Sequence, residues 1–439
     1  MSLVCQPLAI VPNRDAESMP MLNFIATEPN RLAMLPFAVL LLAIALGPLI
    51  ARHHWERHYH KLCLALAGLV CFYYLLVLKQ PARVVHAGME YATFMIVVGS
   101  FFVVAGGIHL RAKAPSSPLR NTLFLLAGAV LGSLIGTIAA SMLLIRPWIA
   151  MNRSRIAPMH IAFFIFVVSN IAGALLPVGP PLLLGFLNGV PFSWTLQHCW
   201  RPWSTTVGLI LLVFFVLDLV NWRENRKTAD LSSWRCDGAH NFVFLFAILA
   251  AIIAVPAGWR ELLVVLTAAG SYLGTPQRIR ESNDFSFGPL KEVAWLFLGI
   301  FGTMIPVLVF MEQSAGELGL RGEFGFYWAT GLLSALLDNA PTYLAFFAAV
   351  LGLHGLELKD TARIAAFVTS DGRELAAVSL GATFFGALTY IGNAPNLLVK
   401  SIAEQARIPT PSFIGYICKF ALPILIPIFG LVSVLFFSR

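Results

Sequence analysis

The sequence predicts an all-α integral membrane protein of two inverted-topology repeats. Each repeat has three spanning helices, a re-entrant hairpin, a broken helix and a further spanning helix, or about 10 crossings plus 2 hairpins in all. Three observations predict this. Of 439 residues, 58% are hydrophobic and only 12% charged, with a mean hydropathy of +0.79, against about 45–50% and about 25% in soluble domains. Eight apolar runs approach the roughly 20 residues that a spanning helix needs. Four further runs are cut by polar or helix-breaking residues, and they fall in the same order in both halves. This composition excludes a soluble enzyme, a secreted scaffold and a nucleic-acid binder. The net charge of +8 is scattered among loops, as membrane topology is encoded, so nucleic acid is not an expected partner.

Residues 1–32 contain Arg14, Asp15, Glu17 and Glu28, and read as an extramembrane segment rather than a cleaved signal peptide. Uninterrupted runs follow at 33–51, 62–78, 91–110 and 203–221 in the first repeat (33–221). A charged cytoplasmic linker, 222–240, leads to the second repeat (241–439), with runs at 241–258, 260–275, 290–311 and 413–437. The first hairpin is expected at 121–150 around Gly136–Ser141, the second at 324–353 around Asp338–Thr342. Arms of about a dozen residues rise only about 18 Å, so both tips are expected near mid-membrane. The run 158–190 is broken at Ser169–Pro181, and 375–402 at Thr389–Asn396. Five crossings per half invert the second half relative to the first. Loops on one side of this topology hold 18 Lys and Arg against 11 on the other, which makes the richer side cytoplasmic and both termini periplasmic.

Unwound backbone inside a bilayer must be satisfied by protein or by a hydrated cavity, and half-helix ends can face ions. By position the first break therefore offers Ser169, Asn170, Pro177, Gly179 and Pro180, and the second Thr389, Gly392, Asn393, Pro395 and Asn396. A pair of Pro/Gly kinks that only improves packing is the alternative. Asp338 interrupts an apolar run, where an ionisable group costs at least about 2.5–3.5 kcal/mol. It is the candidate to exchange a proton for a cation, with Asn339, Thr342 and Ser334 as oxygen donors and sodium expected at Asp338, Asn339 and Asn393. The first tip offers Thr137 and Ser141, and Arg146 follows, either snorkelling to the interface or serving an anion or Asp338 as charge partner. His53, His54, His58 and His60 are read as a solvated loop, with a metal pair at His54 and His58 as the alternative. Cys5, Cys63, Cys71, Cys199, Cys236 and Cys418 form no CxxC pair. No P-loop, GxSxG, HExxH or dinucleotide-binding glycine pattern occurs, so nucleotide-driven pumping by this chain alone is not expected, and no cofactor is expected beyond the coupling ions read at Asp338, sodium and protons.

The ordered motifs "EYATFMIVVGSFFVVAGGIHL", "GTIAASMLLIRP", "SNIAGALLPVGPP", "LLDNAPTYLAF" and "TYIGNAPNLLVK" resemble the ion transporter superfamily. More narrowly, they resemble its citrate-transporter-like bacterial members of the CitMHS type, often labelled sodium/proton antiporters. The resemblance runs from about residue 33 onward. It implies an inner-membrane homodimer whose sites lie where hairpin tips meet unwound loops: Thr137 and Ser141 with Ser169, Asn170 and Gly179, then Asp338, Asn339 and Thr342 with Gly392, Asn393 and Asn396. Dicarboxylate members carry Ser-Asn-Thr at both tips, whereas this chain has Thr137-Ile138-Ala139 and Asp338-Asn339-Ala340. The leading expectation is a secondary transporter, not an enzyme, exchanging sodium for protons at Asp338. Ion-coupled transport of citrate or another small carboxylate or oxyanion is the alternative, and a non-transporting membrane scaffold is a third.

Overall fold

The computed structural model describes residues 30–111, 116–224, 235–283, 285–358 and 360–438, and it is almost entirely helical. A single-turn 3₁₀ segment leads into α1 (Leu35–Ile50), and only Ala51 separates it from α2 (Arg52–Phe72), which runs on as π turns to Val77. Then come α3 (Pro81–Ala105), α4 (Pro118–Ile135), α5 (Thr137–Asn152), α6 (Pro158–Phe164), α7 (Pro180–Leu187) and α8 (Trp194–Glu224). The rest of the chain forms α9 (Asn241–Ala254), α10 (Trp259–Gly274), the short α11 (Gln277–Ser282), α12 (Gly288–Ser314), α13 (Gly322–Ser334), α14 (Asn339–Leu353) and α15 (Thr361–Asp371). It ends with α16 (Arg373–Phe385), α17 (Ala394–Gln405) and α18 (Phe413–Phe437). Proline opens α3, α4, α6 and α7, where its missing N–H costs nothing and its fixed φ suits the helix. Strands β1 (His109–Arg111) and β2 (Arg235–Asp237) pair antiparallel, with His109 opposite Asp237.

Among the described residues, six helices are long and apolar enough to cross a membrane: Arg57–Val77, Pro81–Ala105, Pro118–Ile135, Trp194–Arg223, Leu290–Met311 and Phe413–Phe437. The protein is thus an all-α integral membrane protein. Five of the six coincide with expected spanning runs; the sixth, Pro118–Ile135, is the first arm of the first expected hairpin. Its 18 residues rise about 27 Å, and the other hairpin arms, α5, α13 and α14, have 16, 13 and 15 residues. These arms exceed the expected dozen because helix continues through the polar residues to the last position that can hold it. Conversely, the runs 33–51, 241–258 and 260–275 form α-helices of only 16, 14 and 16 residues. The expected loop 52–61 is the first part of α2. There His54 and His58 stack with ring centroids 4.3 Å apart, and among the described residues no group of three His, Cys, Asp or Glu is placed to hold a metal. The expected segment 1–32 and linker 222–240 lie largely outside the described residues.

Helices α1, α2, α3, α9, α10 and α12 pack on one another as one group. The interrupted segments pack with α8 and α18 as a second, and the two groups meet along α12 with α14, α3 with α5, and α3 with α7. In the second group a buried charged cluster holds the base of the α4–α5 pair. Asp218 of α8, fully buried, accepts from both Arg155 terminal nitrogens, from Asn121 Nδ2 at 2.8 Å and from His160 Nε2 at 3.1 Å. Arg155 Nε also donates to Ser116 Oγ at 2.7 Å, and Asn121 Nδ2 to Asn152 Oδ1 at 2.7 Å. Both ends of the α4–α5 pair and the start of α6 are therefore tied to α8. Arg155, counted in the sequence as a loop charge that orients the protein, is instead 6% exposed and ion-paired. Removing one partner of a buried ion pair leaves the other uncompensated, at about 3–5 kcal/mol. Asp218→Ala should therefore lower the thermal unfolding midpoint of the detergent-solubilised protein far more than Arg31→Ala, which removes the exposed Arg31–Glu317 pair. Equal midpoints for the two variants would contradict the clamp.

Candidate functional site

The four interrupted segments meet at one junction. In the first break, α6 passes through π turns (Ile165–Asn170) and a 3₁₀ turn (Ile171–Ala174) before the backbone leaves helical geometry, and α7 starts afresh at Pro180. In the second, α16 ends in a 3₁₀ turn (Gly386–Leu388), and α17 restarts at Ala394. The two breaks share a sequence, Gly173-Ala174-Leu175 and Gly386-Ala387-Leu388, each followed four residues after the Leu by glycine, Gly179 and Gly392. This internal match, "GALLPVG" against "GALTYIG", is the sequence signal that would have placed the breaks in register.

The hairpin tips sit on these breaks. At the first, the single residue Gly136, with φ +83°, turns the chain between α4 and α5, a conformation for which glycine is suited. The tip is therefore shorter than the expected Gly136–Ser141. A Cβ on Gly136 would lie 3.4 Å from Val178 O, and one on Gly173 would lie 3.1 Å from Thr137 Cγ2. Thr137 and Gly179 are thereby brought together. The second tip, between α13 and α14, ends at Asp338, whose Oδ1 caps α14 by accepting from Ala340 N at 3.1 Å. The Ala394 amide that opens α17 also faces this carboxylate. Asp338 stays half-buried, while Asn339 and Thr342 beside it are each 2% exposed.

Side chains satisfy most of the backbone that the breaks release. Asn396 Nδ2 donates to Gly386 O and Thr389 O, both at 2.9 Å. Asn393 Nδ2 donates across the junction to Ser169 O at 2.8 Å and to Asn170 Oδ1 at 3.1 Å. Asn170 Nδ2 returns the link to Asn396 Oδ1 at 2.8 Å and also reaches Ile165 O at 2.8 Å. Ser141 Oγ and Ser169 Oγ lie 2.8 Å apart. Two serines at matching places, Ser133 and Ser334, donate to Ala172 O and Ala382 O, each at 2.7 Å. Thr389 Oγ1 donates to Ala335 O at 2.6 Å and accepts from Gly392 N at 2.9 Å. With its amide nitrogen toward Gly392 O at 2.8 Å, Asn339 presents its oxygen to Asn393 Nδ2 at 3.3 Å. Thr342 Oγ1 donates to Asp338 O at 3.0 Å.

The carbonyls expected to be free for ion coordination are thus largely occupied by protein donors. At the second tip the Asp338 carboxylate, held by the Ala340 and Ala394 amides, is the one ionisable group among these junction side chains. Cation chemistry there rests on side chains more than on backbone. Arg146, for which interface snorkelling and a charge-partner role were both expected, lies away from the tip. It stands nine positions along α5 from Thr137, about 14 Å of helix away, because the helix resumes immediately after Gly136. Of the residues at the junction, Ser133 is the one that reading the sequence passed over; its spacing before the tip, matched by Ser334, was the available clue.

Asn396→Ala removes a donor from two buried carbonyls and an acceptor from Asn170, each unsatisfied group costing about 1–3 kcal/mol. Ser141→Ala removes one hydroxyl partner. Unfolding midpoints in detergent should fall distinctly further for Asn396→Ala; an equal or larger fall for Ser141→Ala would show that the junction is not held by its asparagines.

A family model described as "Putative citrate transport" matches residues 27–437. No curated protein matches the chain.

Proposed function

From the premise that the chain belongs to this citrate-transport family, we propose that it is an ion-coupled secondary transporter of a small carboxylate such as citrate, with Asp338 as its coupling group. The observation that carries this reading is the meeting of both hairpin tips and both helix breaks at one buried junction beside an aspartate. The N-terminus of α5 has no side-chain cap, so its first amides present partial positive charge to the junction. An anionic cargo placed there is repelled by ionised Asp338, since like charges in a low-dielectric site interact strongly. A proton or sodium ion on Asp338 removes that repulsion. Coupling follows from the same electrostatics: cargo enters when Asp338 is neutralised, and the pair crosses together.

Alternating access is served by the two-group architecture. Helices α5 and α17 start at the junction and pack together, as do α7 and α14. The side chain of Tyr343, four residues into α14, touches Gly185, five residues into α7, so those two leave the junction side by side. This exchange of partners between halves supports inverted repeats at 33–221 and 241–439 and transport by movement of one group past the other, while the excess of Lys and Arg in the loops of one side is the support for cytoplasmic basic loops and periplasmic termini in a bacterial inner membrane. A homodimer remains the expectation from the family resemblance.

Sodium/proton antiport is the second reading, favoured by a carboxylate, Asp338, at the second tip with the amide side chains of Asn339 and Asn393 meeting beside it. Proteoliposomes separate the two. For a coupled carboxylate carrier, citrate accumulation is driven by an inward proton or sodium gradient. Asp338→Asn, which fixes the group neutral, should keep citrate/citrate exchange within a few-fold of wild type while losing gradient-driven accumulation. For an antiporter, a sodium gradient moves protons without citrate, and Asp338→Asn abolishes that signal. Unchanged gradient-driven flux in Asp338→Asn would remove Asp338 from either mechanism.

A further inference from the structure

Glu90 is a buried carboxylate that the junction does not use. It lies in α3, 9% exposed, and its Oε1 accepts from Asn188 Nδ2 at 2.7 Å. Asn188 caps the C-terminal end of α7, is 2% exposed, and also donates to Leu184 O at 2.9 Å. The bond therefore crosses between the two helix groups: α3 belongs to the uninterrupted one, and α7 begins at the junction. The eight residues of α7, about 12 Å of helix, separate Glu90 from the site. Beyond Asn188 the chain turns at Gly189, with φ +102°, so tightly that a Cβ would lie 2.6 Å from Thr361 O at the start of α15. Held on that side, the far end of α7 cannot slide along α3 without breaking the Glu90–Asn188 bond.

The charged and titratable surroundings of Glu90 are these. On its own helix, His86 Nε2 lies 3.7 Å from Oε1 and is about half exposed; the neighbouring Tyr91 donates to Ala294 O of α12 at 3.1 Å. From α10 comes the Arg260–Glu261 pair at 2.6 Å, with Arg260 5.6 Å over the ring of Phe186, two residues before Asn188. From the π turns that end α2, Tyr73 and Tyr74 pack near Val84 and Ala87. No lysine or arginine closes on the Glu90 carboxylate among the described ion pairs; its neighbours there are one histidine and one amide. An ionised carboxylate makes the amide bond charge-assisted, roughly twice as strong as its neutral counterpart.

We infer that Glu90 is a second proton-binding group, distinct from Asp338, whose charge sets how firmly α7 is held to α3. Ionised, it latches the conformation seen here. With one proton taken from water, the Asn188 N–H meets a neutral carboxyl oxygen, the charge assistance is lost, and the two groups are freer to part. Protons at Glu90 thus bias the conformational equilibrium, while Asp338 couples the cargo. The consequence for flux rests on the transporter reading above; the latch itself does not.

The test reads distance rather than flux. Spin labels at Val85→Cys and Ser193→Cys, both exposed positions, are introduced on a background without native cysteines. Distances are measured by pulsed electron paramagnetic resonance in lipid bilayers without substrate at about pH 8 and about pH 5. In the otherwise wild-type protein, a second distance population should grow several-fold at the lower pH. Glu90→Gln should show that population at both pH values, with no pH response. Asn188→Ala, which removes the donor and leaves Glu90 in place, should also lose the response. A pH response in Glu90→Gln equal to that of wild type, or none in wild type, overturns the latch. Either result is readable even if citrate proves not to be the cargo.

Discussion

A polar backbone group in hydrocarbon has no water to turn to, and everything notable in this fold follows from where that rule is broken. Continuous helices obey it automatically. The two breaks do not: each releases carbonyls and amides at a place that α6, α7, α16 and α17 bury. The structure answers with side chains that mimic a peptide. Asn170, Asn393 and Asn396 each carry a donor and an acceptor, as a backbone amide does, and together they join the two breaks into one unit. Serines and threonines on the hairpins supply the remaining donors.

The same constraint explains why the tips sit where they do. Glycine at 386 and 392 lets backbone meet backbone or a short side chain at distances that a Cβ would block, a Cβ at 173 would crowd Thr137, and Gly136 supplies the positive φ of the first tip. The two halves then diverge at the position that precedes the second arm. In the first half it is Gly136, without a side chain, so α5 keeps its amides open; in the second it is Asp338, which caps α14 and faces α17. One side of the junction is left positive and the other is given a titratable acid. That asymmetry sets the two otherwise matching halves of the junction apart.

The membrane class, five of the eight spanning runs and the four interruptions were legible in the sequence because each is a local matter of hydrophobicity, proline and glycine. The identities of Asp338, Asn393 and Asn396 were legible for the same reason, being polar residues in apolar surroundings. Helix lengths were not: α4 runs to Ile135 and α2 begins at Arg52, since helix propagates through polar residues until a glycine or an unfavourable φ stops it. The cluster around Asp218 and the Glu90–Asn188 bond were illegible for a different reason. Their partners are separated by 58 to 98 positions, and nothing in a single sequence pairs a loop arginine with an aspartate in a distant helix.

The central claim is that the four interrupted segments form one binding junction. Its most direct test is a cryo-electron microscopy map of the protein in lipid nanodiscs with citrate and sodium present. The account predicts non-protein density bounded by Gly136 and Thr137, Ser169, Asp338 and Asn393, with both Gly-Ala-Leu turns unwound. Density confined to another cavity, or continuous helix through residues 171–180 and 386–394, would contradict it.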